Sequence, residues 1–362
     1  MRPILNRPIV TCLAALLLAA PAGASVKYSE QSDRTFEGKG LRVVAIDNSR
    51  GDVDVVPSPD GLVHVTAIKT CRGRDKAEAE KNAREVSVTA GLQGDRCEVT
   101  VHYPRHVDIQ VNFWDVLSGK GNSDDWGPNH QVRLQLQVPP ALPLEIHSVS
   151  GDIAARGMLG RQELHSTSGD VAAEPAGGVL ELKTVSGDVK IHGRGRATVR
   201  TTSGDISAAL EGSLDARTTS GDITVPSAGD SLVLGSSSGD ITVEQSPRWL
   251  SAATSSGELD VTAARGAVTL SSSSGGITLG LQAPLAGVNI SNSSGDVALE
   301  LAPGLNASLE LSTTSGDIQS DVPVVLQGHS RQHLNAQYGR GGAIVKARTV
   351  SGDLHVTSGG VK

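Results

Sequence analysis

Thr201-Thr202-Ser203-Gly204-Asp205-Ile206 is followed 17 residues on by Thr218-Thr219-Ser220-Gly221-Asp222-Ile223, and after 18 more by Ser236-Ser237-Ser238-Gly239-Asp240-Ile241. The pattern continues in both directions. Its glycines are Gly151, Gly169, Gly187, Gly204, Gly221, Gly239, Gly257, Gly275, Gly295, Gly316 and Gly352, spaced 18, 18, 17, 17, 18, 18, 18, 20, 21 and 36 apart. A fixed period of this size marks stacked structural units. The last spacing is two periods, which predicts one degenerate copy between.

Aligned on the Ser, the copies show which way each side chain points. Leu144, Leu180, Leu214, Leu232 and Leu250 stand six residues before it, and Ile146, Leu164, Leu182, Val199 and Leu234 four before. Two before, the slot is small and hydrogen-bonding, as in Ser148, Ser166, Thr184, Thr201, Thr218 and Asn292. Three after, it is Ile, Val or Leu throughout. Alternation of this kind is a strand with one buried face, bent at Ser-Gly. One such unit cannot bury its apolar stripe alone, so its neighbours must stack on it. The sequence therefore predicts an all-β fold: a parallel β-solenoid of about 18 residues per coil, neighbouring coils roughly 4.8 Å apart. Eleven coils would make a rod on the order of 50 Å long. Propeller blades need about 40 residues each, more than this period offers.

The turn glycines fit a bend that needs positive φ, and the Asp beside each can accept backbone N–H bonds. Stacking makes a column of acids from Asp152, Asp170, Asp188, Asp205, Asp222 and Asp240 onward. Carboxylates about 5 Å apart repel by roughly 1 kcal/mol in water, so turn amides, a cation row or bound metal must offset them. Cations stand three residues before the Ser in His147, His165, Lys183, Arg200 and Arg217, a stripe that the middle coils lack. A solvated, locally balanced surface accounts for it; the functional alternative is a stripe facing an anionic glycan or lipopolysaccharide. Calcium-binding solenoids carry Gly-Gly-x-Gly-x-Asp nonapeptides. These turns have one Gly, and Gly276 replaces the acid once. No metal and no cofactor is expected.

Upstream, Val44, Ile46 and Asn48 precede Arg50-Gly51-Asp52, and Val53 and Val55 follow, so another copy lies there with Arg in the Ser slot. Its tripeptide matches the integrin-recognition sequence, but a variant turn explains it. Val63 to Ile68 reads as a strand, Asp75 to Glu85 as a helix, and Val86 to Ala90 and Cys97 to Tyr103 as strands. This predicts a small α+β cap over the end of the solenoid. Cys71 and Cys97 would close it as a disulfide contributing about 3 kcal/mol. Phe113, Trp114 and Trp126 lie in an irregular stretch with Asp115, Asp124 and Asp125. They either plug the cap or offer rings to a sugar. Residues 319–342 read as a Gly-rich loop.

Residues 1–24 read as an export signal: Arg2 and Arg7, an apolar run from Ile9 to Ala20, then Pro21-Ala22-Gly23-Ala24. The run is too short to span a membrane, and no later one reaches 18 residues. The domain order is thus 1–24 signal, 25–130 cap with first coil and aromatic loop, and 131–362 repeat solenoid. The chain of 362 residues is 38% hydrophobic but 2% aromatic, so its interior must be thin and aliphatic. A formal charge of −7 with interspersed signs speaks against nucleic acid as a partner.

With its leader, its strand–helix–strand segment and motifs such as Thr202-Ser203-Gly204-Asp205-Ile206 and Thr219-Ser220-Gly221-Asp222-Ile223, the chain resembles the bacterial adhesin-type β-strand-repeat family. That family has no assigned function and is similar to autotransporter-adhesin head domains. The resemblance spans residues 40 to 356 and implies a β-helical fold in the cell envelope, periplasmic or at the surface. It supplies no catalytic residues. The expected role is a non-enzymatic, exported module presenting a regular face to a cell-surface glycan or envelope protein. The alternatives are a polysaccharide-active β-helix enzyme, which would need convergent acids or bases that break the repeat, and a periplasmic stress-signalling component.

Overall fold

The computed structural model describes residues 16–17, 26–104 and 130–359, and the chain divides into two compact units, residues 1–169 and 170–362. Both are built of strands; the one α-helix among the described residues is Lys76–Glu85. Alternation in sequence becomes alternation in space. Of the strand Ile206–Arg217, for example, Ile206, Ala208, Leu210, Leu214 and Ala216 are buried while Ser207 and Arg217 are exposed.

In the first unit, Val43–Arg50 and Val53–Pro57 flank the Gly51 turn and make one coil. Leu144–Ser150 and Ile153–Arg156 make the Gly151 coil beside it, in parallel register, with Val44 next to Leu144, Ile46 next to Ile146 and Val53 next to Ile153. On the opposite side of the Gly51 coil lie Arg96–His102 and His130–Val138, also parallel to it. The chain therefore lays down the Gly51 coil, then an outer coil, then crosses back to continue at Gly151. Residues 103–129 join the two halves of the outer coil where the other coils have their short turn. Antiparallel strands cover that outer coil. Leu62–Gly73 pairs with His130–Val138, Val26–Glu37 pairs with Leu62–Gly73, and Ser87–Gln93 pairs with Arg96–His102.

The helix starts where the sequence placed it. Asp75 is its N-cap and accepts the Glu78 N–H at 2.8 Å, while the Glu78 carboxylate accepts the Arg74 N–H at 2.7 Å. Ala79 and Ala83 form its buried face.

Cys71 and Cys97 are free thiols, which corrects the expected disulfide. Cys71 lies on Leu62–Gly73, between Tyr28 and His130, whereas Cys97 lies on Arg96–His102, between Val44 and Leu92. No strand pairing joins those two strands. Each thiol is fully buried in apolar packing, and burial pushes both up to about 11. They act as small apolar side chains.

In the second unit the turns stack in chain order from Gly187 to Gly295, and then the order changes. The Gly352 coil lies on the Gly295 coil, with Val288 beside Val345 and Val297 beside Leu354. The Gly316 coil lies outside it, with Leu309 beside Val345 and Ile318 beside Leu354. The 36-residue spacing thus hides no degenerate coil, and the loop expected over 319–342 is largely a hairpin. Val325–Ser330 and His333–Tyr338 pair antiparallel, and His333–Tyr338 lies along Ala307–Ser312. The chain then returns to fill the rung left between Gly295 and Gly316.

Candidate functional site

The repeated turn has the same construction in most coils. In the second unit the buried Thr201, Thr218, Ser236 and Thr254 hydroxyls each accept the N–H of the turn glycine, at 3.1, 3.0, 2.8 and 3.1 Å. Three of them also donate to the glycine carbonyl of the preceding coil, Thr218 to Gly204, Ser236 to Gly221 and Thr254 to Gly239. Asn48 in the first unit and Asn292 in the second fill this slot with an amide instead of a hydroxyl. Asn48 Nδ2 bridges the Gly51 and Val132 carbonyls, and Asn292 Nδ2 bridges those of Gly275 and Gly295.

Positive φ is not the general reason for the glycine. Among the turn glycines only Gly51, Gly151 and Gly295 have it. The common reason is clearance, because each turn passes directly over the glycine carbonyl of the coil before. A Cβ on Gly169 would stand 1.8 Å from the Gly151 oxygen, and one on Gly204 1.9 Å from that of Gly187.

The acid column is offset by amides. Asp188 N–H donates to Asp170 Oδ1 at 2.9 Å, Asp205 to Asp188 at 3.0 Å, Asp222 to Asp205 at 2.9 Å and Asp240 to Asp222 at 2.8 Å. The same bond ties Asp353 to Asp296 and Asp317 to Asp353. In the first unit the corresponding Asp152 to Asp52 contact is longer, at 3.5 Å, and Arg133 reaches Asp52 at 2.9 Å. No group of His, Cys, Asp and Glu suited to a metal occurs among the described residues.

The cation stripe faces outward but is locally neutralised. Its partners are acids in the column two residues earlier, on the same strand or on the next rung, which the sequence reading passed over. Lys183 pairs with Glu181 at 2.7 Å. Arg200 makes a two-pronged contact with Asp215, at 2.8 and 3.2 Å, and Arg217 approaches the same carboxylate at 3.7 Å. In the first unit His147 and His165 meet edge to face, 4.9 Å between ring centres, and His165 lies 3.5 Å from Glu163. Such half-exposed pairs add little stability, and they leave little net positive field for an anion. Phe113, Trp114 and Trp126 fall outside the described residues. Tyr103, at the start of that segment, is anchored: its hydroxyl donates to the Arg50 carbonyl and lies 3.0 Å from Asn48 Oδ1. Burial pushes its phenol well above the usual range.

Two features were missed. In the first unit, strand pairing sets Thr35 opposite His64 and Asp33 opposite Thr66 in a cleft of 450 Å³ also lined by Asp54, Gln135 and Gln137. His64 Nε2 meets Asp60 Oδ2 at 2.8 Å, and its Nδ1 lies 3.2 Å from Thr35 Oγ1. In the neutral ring with Nε2 donating to an ionised Asp60, Nδ1 is left to accept from the Thr35 hydroxyl. Bonds from the Ser58 hydroxyl, the Leu62 amide and His64 hold Asp60 at about 2. Nothing local in the sequence reveals this juxtaposition, which needs the antiparallel register. In the second unit, Trp249 begins a strand with 43% of its surface exposed. It sits at the edge of the uncharged outer face of the middle coils, and its sequence signal was the loss of cations from the stripe.

A family model described as Toastrack DUF4097 matches residues 130–231 and 227–357. No curated protein matches the chain. Similar solved structures include a candidate cell adhesion protein from Clostridium sporogenes, 9% identical, covering 91% of this chain and 100% of that one, with a TM-score of 0.20. Candidate adhesins from Bacteroides fragilis (8% identical, 90% and 96% covered, TM-score 0.24) and Parabacteroides distasonis (10%, 90% and 96%, 0.22) also match. Scores this low give no basis for superposing sites. The two adjoining family matches together run from residue 130 to 357, well over half of the sequence, and on that ground the chain belongs to the Toastrack DUF4097 family.

Proposed function

We propose that this protein is an exported, non-enzymatic envelope module of adhesin type that binds a glycan or protein through the outward face of its coils. The observation that carries this is the straight register of outward columns. Lys183 lies beside Arg200 and Arg200 beside Arg217, while Ser251, Thr269 and Asn289 likewise follow one another rung by rung. A partner with its own repeat meets equivalent groups on successive rungs, so weak contacts add along its length. Export rests on the leader at residues 1–24, which lies outside the described residues except for Leu16–Leu17. No helix of the described residues is long and apolar enough to cross a membrane.

The test is a glycan array and a panel of purified envelope polymers probed with the protein, with reducing-end release followed in parallel. Retention without release is expected. Absence of binding to every polymer and envelope protein tested would sink the reading. A hydrolase is the second reading, favoured by the Thr35–His64–Asp60 chain of hydrogen bonds in an open cleft. Sugar or acyl release that disappears in His64→Ala would establish it instead.

A further inference from the structure

The middle coils of the second unit carry a built surface that the repeat pattern alone does not announce. Trp249 lies beside Ala267, Ala267 beside Gly287, and Gly287 precedes Val288, which lies beside Val345. Ile344, 46% exposed, therefore stands in the same outward column as Trp249. Two apolar side chains thus rise from one column, three rungs apart, with only a methyl group and a hydrogen between them. A shallow trough of 240 Å³ runs over Ala267 and Gly287 to Ile344 and Lys346, and Trp249 stands beside Ala267 just outside its lining. Three rungs at about 4.8 Å make it roughly 14 Å long.

The next two columns supply the polar groups. On the two floor rungs they are Thr269 with Ser271, and Asn289 with Ser291, all exposed and each without a side-chain hydrogen bond to the described protein. Neither Ala267 to Ser271 nor Gly287 to Ser291 contains a charged residue, and Arg265, two residues before Ala267, is held by Gln282 at 2.9 Å. Lys346, which lines the far end of the trough, is neutralised by Glu310 at 3.0 Å, and Arg348 follows it. An indole to stack on, free hydroxyls and an amide at regular intervals, and a single lining cation already paired with Glu310 together select the ligand. A hydroxyl-rich neutral chain satisfies both kinds of group, whereas an apolar protein surface would leave four polar side chains unpaired.

From this arrangement we infer that the trough between Trp249 and Ile344 binds a neutral polysaccharide strand lying along the coils, about one sugar ring per rung, with Trp249 as the stacking platform. The inference rests on the glycan-binding reading above and names its ligand class and its place. Trp114 and Trp126 have no part in it.

The experiment is titration calorimetry of the whole protein with cellohexaose, mannohexaose and chitohexaose, and with hexagalacturonate as the anionic counterpart. Trp249→Ala should weaken binding of a neutral hexaose roughly tenfold or more. Gly287→Leu should abolish it by filling the floor. Gly287 tolerates a side chain, since a Cβ there meets nothing nearer than the Ile344 oxygen at 3.8 Å, so this variant tests the site without unfolding it. Unchanged thermal melting confirms that both variants fold. Wild-type affinity in both variants overturns the trough while leaving glycan binding standing. Tighter binding of hexagalacturonate than of every neutral chain overturns the ligand class. Failure of the wild type on all four chains overturns the proposal, and the broader reading falls with it only if the array and envelope polymers are also negative.

Discussion

A methyl group on Gly204 would lie 1.9 Å from the Gly187 carbonyl oxygen, closer than any atom pair tolerates. The coils are spaced by their own ladder of hydrogen bonds, so neither turn can retreat without breaking pairing on both sides. Gly204→Ala should therefore cost about 2 kcal/mol or more in urea unfolding, whereas Gly287→Ala should stay within about 0.5 kcal/mol. A loss at Gly204 no larger than at Gly287 would mean that clearance does not select the glycine. In the first unit a carboxylate offers a second test at the same scale. Asp60 is held at about 2 against an ordinary 3.8 by the Ser58 hydroxyl, the Leu62 amide and His64. A depressed carboxylate stabilises the fold above its ordinary value and loses that contribution as pH falls through the lowered one. Asp60→Asn should accordingly lower the melting temperature at pH 6, and its difference from wild type should shrink steadily between pH 4 and pH 2. A difference that persists at pH 2 would assign the effect to shape instead of charge.

Strands were legible in the sequence because their periodicity is two and one face is dry. The columns at Leu214, Leu232 and Leu250, and at Ile206, Ile223 and Ile241, are buried as alternation requires. Helix Lys76–Glu85 was legible from the spacing of its two small buried residues, Ala79 and Ala83. That Cys71 and Cys97 stay unpaired was not, because two cysteines flanking one helix say nothing about whether their strands pair. The His64 cleft was hidden for the same reason. At this scale the turn is a single hydrogen-bonded device, and its weakest substitute is an isostere without the hydroxyl. Thr218→Val keeps the shape but leaves the buried Gly221 N–H without the acceptor it has at 3.0 Å, and the Gly204 carbonyl without a weaker donor at 3.4 Å. That should cost about 1–3 kcal/mol. Thr218→Ser, which retains both bonds, should cost clearly less. A valine variant as stable as wild type in urea unfolding would mean that packing alone holds the turns.

Each unit closes its array by the same manoeuvre. In the first, the coil made earliest, at Gly51, is covered by one that the chain forms later from residues 96–102 and 130–138. In the second, the coil made last, at Gly352, is inserted beneath the earlier Gly316 coil. The outermost parallel strands are then met by antiparallel ones, Leu62–Gly73 and Ser87–Gln93 in the one unit and His333–Tyr338 in the other. Spacing in the sequence could not show this, since equal motifs carry no mark of the order in which they stack. The insertion has a consequence for stability. In a simple solenoid the last repeat is an edge, and removing it trims one interface. Here residues 343–358 are an inner rung, bonded to the Gly295 coil on one side and the Gly316 coil on the other. Truncation after Gly342 should therefore release the Gly316 coil and its hairpin as well, and bare the edge strands of the Gly295 coil to solvent and self-association. Limited proteolysis of the truncated protein should cut within residues 302–342 under conditions where the whole chain resists, and light scattering should show oligomers. If instead the truncated chain resists the protease through residue 342 and stays monomeric, the Gly316 coil must pair directly with the Gly295 coil, and the inserted rung is dispensable.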